Sequence, residues 1–151
     1  MSYTAQSGRQ QILEDVATAA DALGGALGLL GEAYEHLDEH NADRMEAEVF
    51  RPLQSAYGRL KRVYAEFAQR YGLPAREFPT APTPLPGDPR RLFEQAADSI
   101  QSADEALAEL QDSLLPVEVG DETLRAGLSE VRLLIARLPT LSAQLVRTLG
   151  R

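Results

Sequence analysis

Three side chains late in the first third of the chain have the types and spacing of a metal site. Glu32, His36 and His40 stand at four-residue intervals. On one continuous helix they share a face, each a turn from the next. One carboxylate with two imidazoles is a ligand set for zinc or iron. The competing reading is that the two histidines close a helix whose C-terminal dipole favours a partly protonated imidazole. Di-iron carboxylate proteins draw Glu-x-x-His from two helices, and His36 and His40 are the only histidines here, so ferritin-type oxidation is not expected. Phosphoryl relay through either imidazole is opposed by Glu35, Asp38 and Glu39 beside them.

A second cluster is made of glycines. Residues 22–31 read ALGGALGLLG, which resembles a phosphate cradle only in composition. No strand precedes it, no Lys-Ser/Thr follows, and Glu32 would meet the phosphate. Gly24, Gly25, Gly28 and Gly31 instead lie on a helix face turned away from the apolar seam. Glycine inside a helix costs about 1 kcal/mol relative to alanine, so the stripe calls for a reason. A smooth face admits another backbone, either helix 1 of a second subunit, giving a homodimer, or the chain's own proline-rich linker.

The third cluster is aromatic. Phe50, Tyr57, Tyr64 and Tyr71 repeat at seven beside Leu53, Leu60 and Phe67. With Tyr34, the tyrosines are placed either to flank a core with their hydroxyls at its edge or to wall a pocket with Arg59 or Arg62 at its mouth. No serine or lysine has the surroundings of a nucleophile, no cysteine is present, and no cofactor motif is read. The expectation is a non-catalytic protein acting through protein contact or self-association, with a small-molecule or metal-binding bundle as the alternative.

The same seven-residue rhythm runs through the whole chain. Val16, Leu23, Leu30 and Leu37 repeat with Ala19, Ala26 and Ala33; Phe93, Ile100, Leu107 and Leu114 with Ala96 and Ala103; Leu124, Val131, Leu138 and Leu145 with Leu134 and Leu141. Seven residues make nearly two helical turns, so each row is a buried stripe, and no stretch alternates with the period of a strand. The fold class is all-α, an antiparallel four-helix bundle in one domain over 1–151. Helices are expected at about 7–40, 43–71, 89–115 and 121–149, with a Pro-rich linker at 72–88 between the second and third. Asn41 and Asp43 offer caps at the first break, Gly72 and Pro74 stop the second helix, Asp88-Pro89 starts the third, and Asp121 opens the fourth. Pro52 should kink helix 2, and Pro139 should kink or break helix 4. Leu73, Phe78 and Leu85 are placed to pin the linker to the bundle.

At 151 residues, 44% apolar and 25% charged, the chain is long enough for one core and too apolar for wholesale disorder. Net charge −8 opposes nucleic acid. The uncharged run 22–31 is about half a membrane span, and no secretory leader is read at the start, so a cytoplasmic location is expected. Arginine dominance, with Lys61 the single lysine, suggests a bacterial source. Helix 1 carries one arginine against seven acids and helix 3 two against six, whereas basic residues outnumber acids in helices 2 and 4. Alternating charge favours an up-down-up-down order with the two acidic helices on a diagonal. A linker crossing lengthwise would instead set them side by side.

Overall fold

Leu30, Leu60, Leu107 and Val131, one from each expected rod, have no exposed surface, so the seven-residue rows do gather into one apolar core. The computed structural model describes residues 2–80 and 83–149, with side chains from Ala5 onward; Pro82, one of the expected linker prolines, lies outside the described residues. The fold is all-helical, with no strand among the described residues. In order the elements are α1 (Ser2–Tyr34), α2 (Glu39–Met45), a π-helical turn (Glu46–Phe50), α3 (Arg51–Arg70), α4 (Pro89–Asp112), α5 (Leu115–Glu118), α6 (Glu122–Ile135) and α7 (Leu138–Thr148).

Local signals explain most ends. Gly72 takes φ 63°, and the N–H groups of Gly72 and Leu73 donate to the carbonyls of Gln69 and Ala68, which satisfies the last turn of α3. Asp88 accepts the N–H of Arg90 at 3.1 Å, ahead of Pro89. Asp121 accepts the N–H of Leu124 at 2.7 Å. The first break is a correction: it falls at 35–38, not at 41–43. His36 and Leu37 donate to Ala33 and Tyr34 in a tightened final turn, and Asp38 caps α2 by accepting the N–H of Asn41 at 2.8 Å. Asp38 is the better cap because the chain has already left α1, freeing its backbone to be extended, φ −69° and ψ 166°.

The two internal prolines act differently. Pro52 has no N–H for the carbonyl of Glu48, and its ring crowds that carbonyl. The preceding turn widens to the π pattern, in which Arg51 N–H donates to Glu46 five residues back. Pro139 instead sits in the first turn of α7, after a break at 136–137. Helix 3 also stops sooner than its apolar row, at Asp112, so Leu114 is left 67% exposed.

The order of the helices is the second correction. The most extensive helix contact is between α1 and α4, the two acid-rich helices that charge alternation set on a diagonal; α1 also packs on α3, α4 on α7, and α3 on α6. Ala19, Ala26, Ala33, Ala96 and Ala103 are all fully buried. Alanine seams let two helices approach closely, with burial along the whole contact, whereas an exposed ion pair contributes only about 0.2–1 kcal/mol. Packing therefore outweighs charge. Arginines tie the other contacts: Arg59 to Glu130 at 2.8 Å, and Arg132 to Asp104 at 2.9 Å and to Gln111 at 2.8 Å.

Candidate functional site

Asp21, Gly24, Gly28 and Gly31 follow one another at intervals of three or four along α1, so they form one stripe, and Glu35, the first residue past the helix, lines the same cleft as Gly31. Opposite, in reverse order, stand Tyr64, Lys61 and Tyr57 of α3 and then Phe50 and Glu46 of the π turn. The two helices run antiparallel: Arg9 near the start of α1 lies over the ring of Tyr71 just past the end of α3, 4.0 Å from its centroid. Between the stripes is a groove, and the chain lays its own segment 74–80 into it.

That segment is non-helical, and each contact it makes has a polar or aromatic anchor. The Tyr64 hydroxyl accepts the backbone N–H of Arg76 at 3.1 Å, and the Arg76 guanidinium pairs with Asp21. The same guanidinium lies 4.5 Å from the centroid of Phe78, whose ring meets Tyr64 edge-on at 5.0 Å. Phe78 and Thr80 then line a recess with Gly24, Gly28, Tyr57 and Lys61. A Cβ added to Gly24 would lie 3.2 Å from the Tyr57 ring, so a side chain here would require that ring to give by a few tenths of an ångström. Burial raises the Tyr57 phenol above its ordinary value, Asp21 adds to the rise, and Arg76 partly opposes it; the ring stays neutral.

Further along the same two walls lies a cleft of about 360 Å³, lined among the described residues by Gly31, Tyr34, Glu35, Glu46 and Phe50. It opens there because α1 packs on α3 but makes no extensive contact with the π turn. Tyr34 is 41% exposed, while Phe50 is half-buried against the core.

The proposed metal residues are only partly brought together. His36 Nε2 lies 3.2 Å from Glu32 Oε1, but α1 has ended, and His40 belongs to α2, so the four-residue ladder is broken. No group of three or more His, Cys, Asp or Glu side chains is placed to hold a metal among the described residues. The glycine stripe divides: Gly24 and Gly28 meet Tyr57 and the recess containing Phe78, while Cβ atoms at Gly25 and Gly31 would meet nothing within 4 Å. The tyrosine row does wall the groove, but its cations are Arg9, Lys61 and Arg76. Arg59 turns to α6 instead, and Arg62 is exposed. Of the three expected pins, Leu73 is buried and Phe78 half-buried, whereas Leu85 is 85% exposed. Arg76 and Asp21 carried no local signal, since 55 residues separate them.

At the foot of the groove, Arg70 grips Asp121 through two hydrogen bonds of 2.8 and 2.9 Å, and the Tyr71 hydroxyl donates to the same carboxylate at 2.9 Å. Burial pushes the Asp121 carboxyl up, but Arg70, the Leu124 N–H and the Tyr71 hydroxyl outweigh it and hold it below the ordinary value. Arg9 donates to the carbonyl of Val119 at 2.9 Å. These groups are mutually satisfied and fasten α1, α3 and α6 together. No helix among the described residues is long and apolar enough to cross a membrane. Compared with family models, with curated proteins and with solved structures, the chain matches none.

Proposed function

We propose that this chain is a non-catalytic four-helix bundle, with α2, the π turn and α3 as one rod and α6 and α7 as another, whose role is contact with other polypeptides. In this reading the Pro-rich segment is a crossover linker running lengthwise, and the α1–α3 groove is the contact surface. The supporting observation is the seating of residues 74–80: a glycine-floored, aromatic-walled groove takes non-helical, proline-containing chain, holding its backbone and the Phe78 ring through Tyr64 and the Arg76 side chain through Asp21. Extended, proline-containing segments bind with little loss of entropy and suit aromatic grooves. The acidic balance of the chain argues for protein over nucleic acid as partner, and we place it in the bacterial cytoplasm on composition.

A panel of extended proline-containing peptides, screened against the isotope-labelled protein, tests the reading. Binding that shifts the amides of Gly28, Gly31 and Tyr34 is expected. Peptides that bind only at other surfaces, such as Leu133 on α6, would count against it.

Self-association is a second reading, favoured by Gly25 and Gly31, which leave open space on α1. It requires a dimer in sedimentation that Gly25→Leu abolishes; a monomer at high concentration removes it.

A further inference from the structure

We propose that the open end of the groove binds an arginine side chain presented by an extended segment of a partner polypeptide. This rests on the contact reading above and names the chemistry of the partner. The groove already holds the template. Its aromatic row carries a cation at each filled position: Arg9 over Tyr71 at 4.0 Å, Arg76 over Phe78 at 4.5 Å where Phe78 abuts Tyr64, and Lys61 over Tyr57 at 4.2 Å. At the fourth position stand Phe50 and Tyr34, and among the described residues no cation lies over either ring.

The carboxylates repeat as well. Asp21, which takes the Arg76 guanidinium, has its counterpart fourteen residues on in Glu35. Tyr64 has its counterpart fourteen residues back in Phe50. Fourteen residues are nearly four helical turns, so Phe50, in helical backbone that leads into α3, returns to the face of Tyr64, while Glu35, one residue past the end of α1, is placed by the cleft it lines with Gly31 and Tyr34. The antiparallel helices carry both counterparts to the same end of the groove, where they line one cleft.

The setting favours a cation further. The last turn of α1 contains no basic residue, so its negative dipole end is uncompensated. Among the described residues Glu46 pairs with Arg51 alone, at 3.8 Å, a separation too long for a hydrogen bond, and the Arg51 side chain is 71% exposed. A guanidinium is planar, stacks on aromatic faces and can donate to two carboxylates in its plane. A non-helical, proline-containing backbone is the form of chain the adjacent groove already accommodates.

The test uses the full chain and two capped pentapeptides, Pro-Pro-Arg-Pro-Pro and the same sequence with citrulline, a neutral isostere, in place of arginine. Amide shifts of Gly31, Tyr34 and Phe50 report the open end, and those of Gly24 and Tyr64 the filled part. The arginine peptide should shift the first group, with affinity about tenfold weaker for citrulline, for Glu35→Gln and for Tyr34→Leu. Glu35 and Tyr34 are exposed, and unchanged shifts at Leu60 and Leu107 establish that the variants fold. Equal binding of both peptides at the open end would overturn the arginine assignment while leaving the contact reading intact. Shifts confined elsewhere, or no binding of either peptide at millimolar concentration, would also overturn it, and the broader panel then decides the contact reading separately.

Discussion

The ring of Phe78 stands nearly perpendicular to that of Tyr64, at 81° with centroids 5.0 Å apart, so a residue from the non-helical segment is held by a residue from the helical core. Phe78→Ala should release the segment. It is expected to lower unfolding free energy by about 1–2 kcal/mol, since the ring is half-buried and aromatic pairing adds to burial. Hydrogen exchange should rise at 75–78 in this variant while α4 stays protected.

The glycines separate by what a methyl group would meet. Gly25→Ala meets nothing within 4 Å and removes backbone freedom from the unfolded chain, so it should stabilise by about 0.5–1 kcal/mol. Gly127→Ala would put its Cβ 2.6 Å from Val63 Cγ2, at the contact of α6 with α3, and should destabilise by about 1–3 kcal/mol. Denaturant titrations of the two variants check the opposite signs.

Ser142 on α7 is fully buried and its hydroxyl has no hydrogen-bond partner. Ser142→Ala removes that unsatisfied group without changing the backbone, so a gain of about 1 kcal/mol is expected. Thermal unfolding measures it, and a loss of stability would mean that the hydroxyl is satisfied in solution.

Asp121 sets an acid dependence. Its carboxyl lies below the ordinary value because Arg70, Leu124 and Tyr71 outweigh the burial that pushes it up. A lowered carboxyl contributes stability above its unfolded value, about 3.9, and loses it as pH falls through the folded one. The stability advantage of the wild type over Asp121→Asn, which keeps a capping side chain, should be about 1 kcal/mol at pH 7. It should shrink as pH falls below about 4. Urea unfolding at pH 7 and pH 3 reads the difference.

The buried rows were legible in the residues because burial follows helical period, and so were the ends at Gly72, Asp88 and Asp121, because cap chemistry is local. The first break was misplaced because three acidic or amide residues, Asp38, Asn41 and Asp43, offer the same cap, and only the tertiary path of Tyr34 to Leu37 selects among them. Helix order was misread because exposed charges are cheap to rearrange, while the acid-rich α1 and α4 share the most extensive helix contact and their alanines at 19, 26, 33, 96 and 103 are fully buried. The aromatic wall of the groove showed in the spacing of Phe50, Tyr57 and Tyr64. The cations on it did not, since Arg9 and Arg76 reach it from other parts of the chain. The spacing of Glu32, His36 and His40 assumed one helix continuing to His40, whereas α1 ends at Tyr34 and His40 belongs to α2.

On the reading proposed above, the groove between α1 and α3 receives a partner's extended polypeptide at the end lined by Gly31, Tyr34 and Phe50. Isotope-filtered nuclear Overhauser contacts between labelled protein and the unlabelled arginine pentapeptide test it most directly. Contacts from the peptide to Gly31, Tyr34 and Phe50 are expected. Contacts confined to α6 around Leu133, or to α5 around Val117, would contradict it.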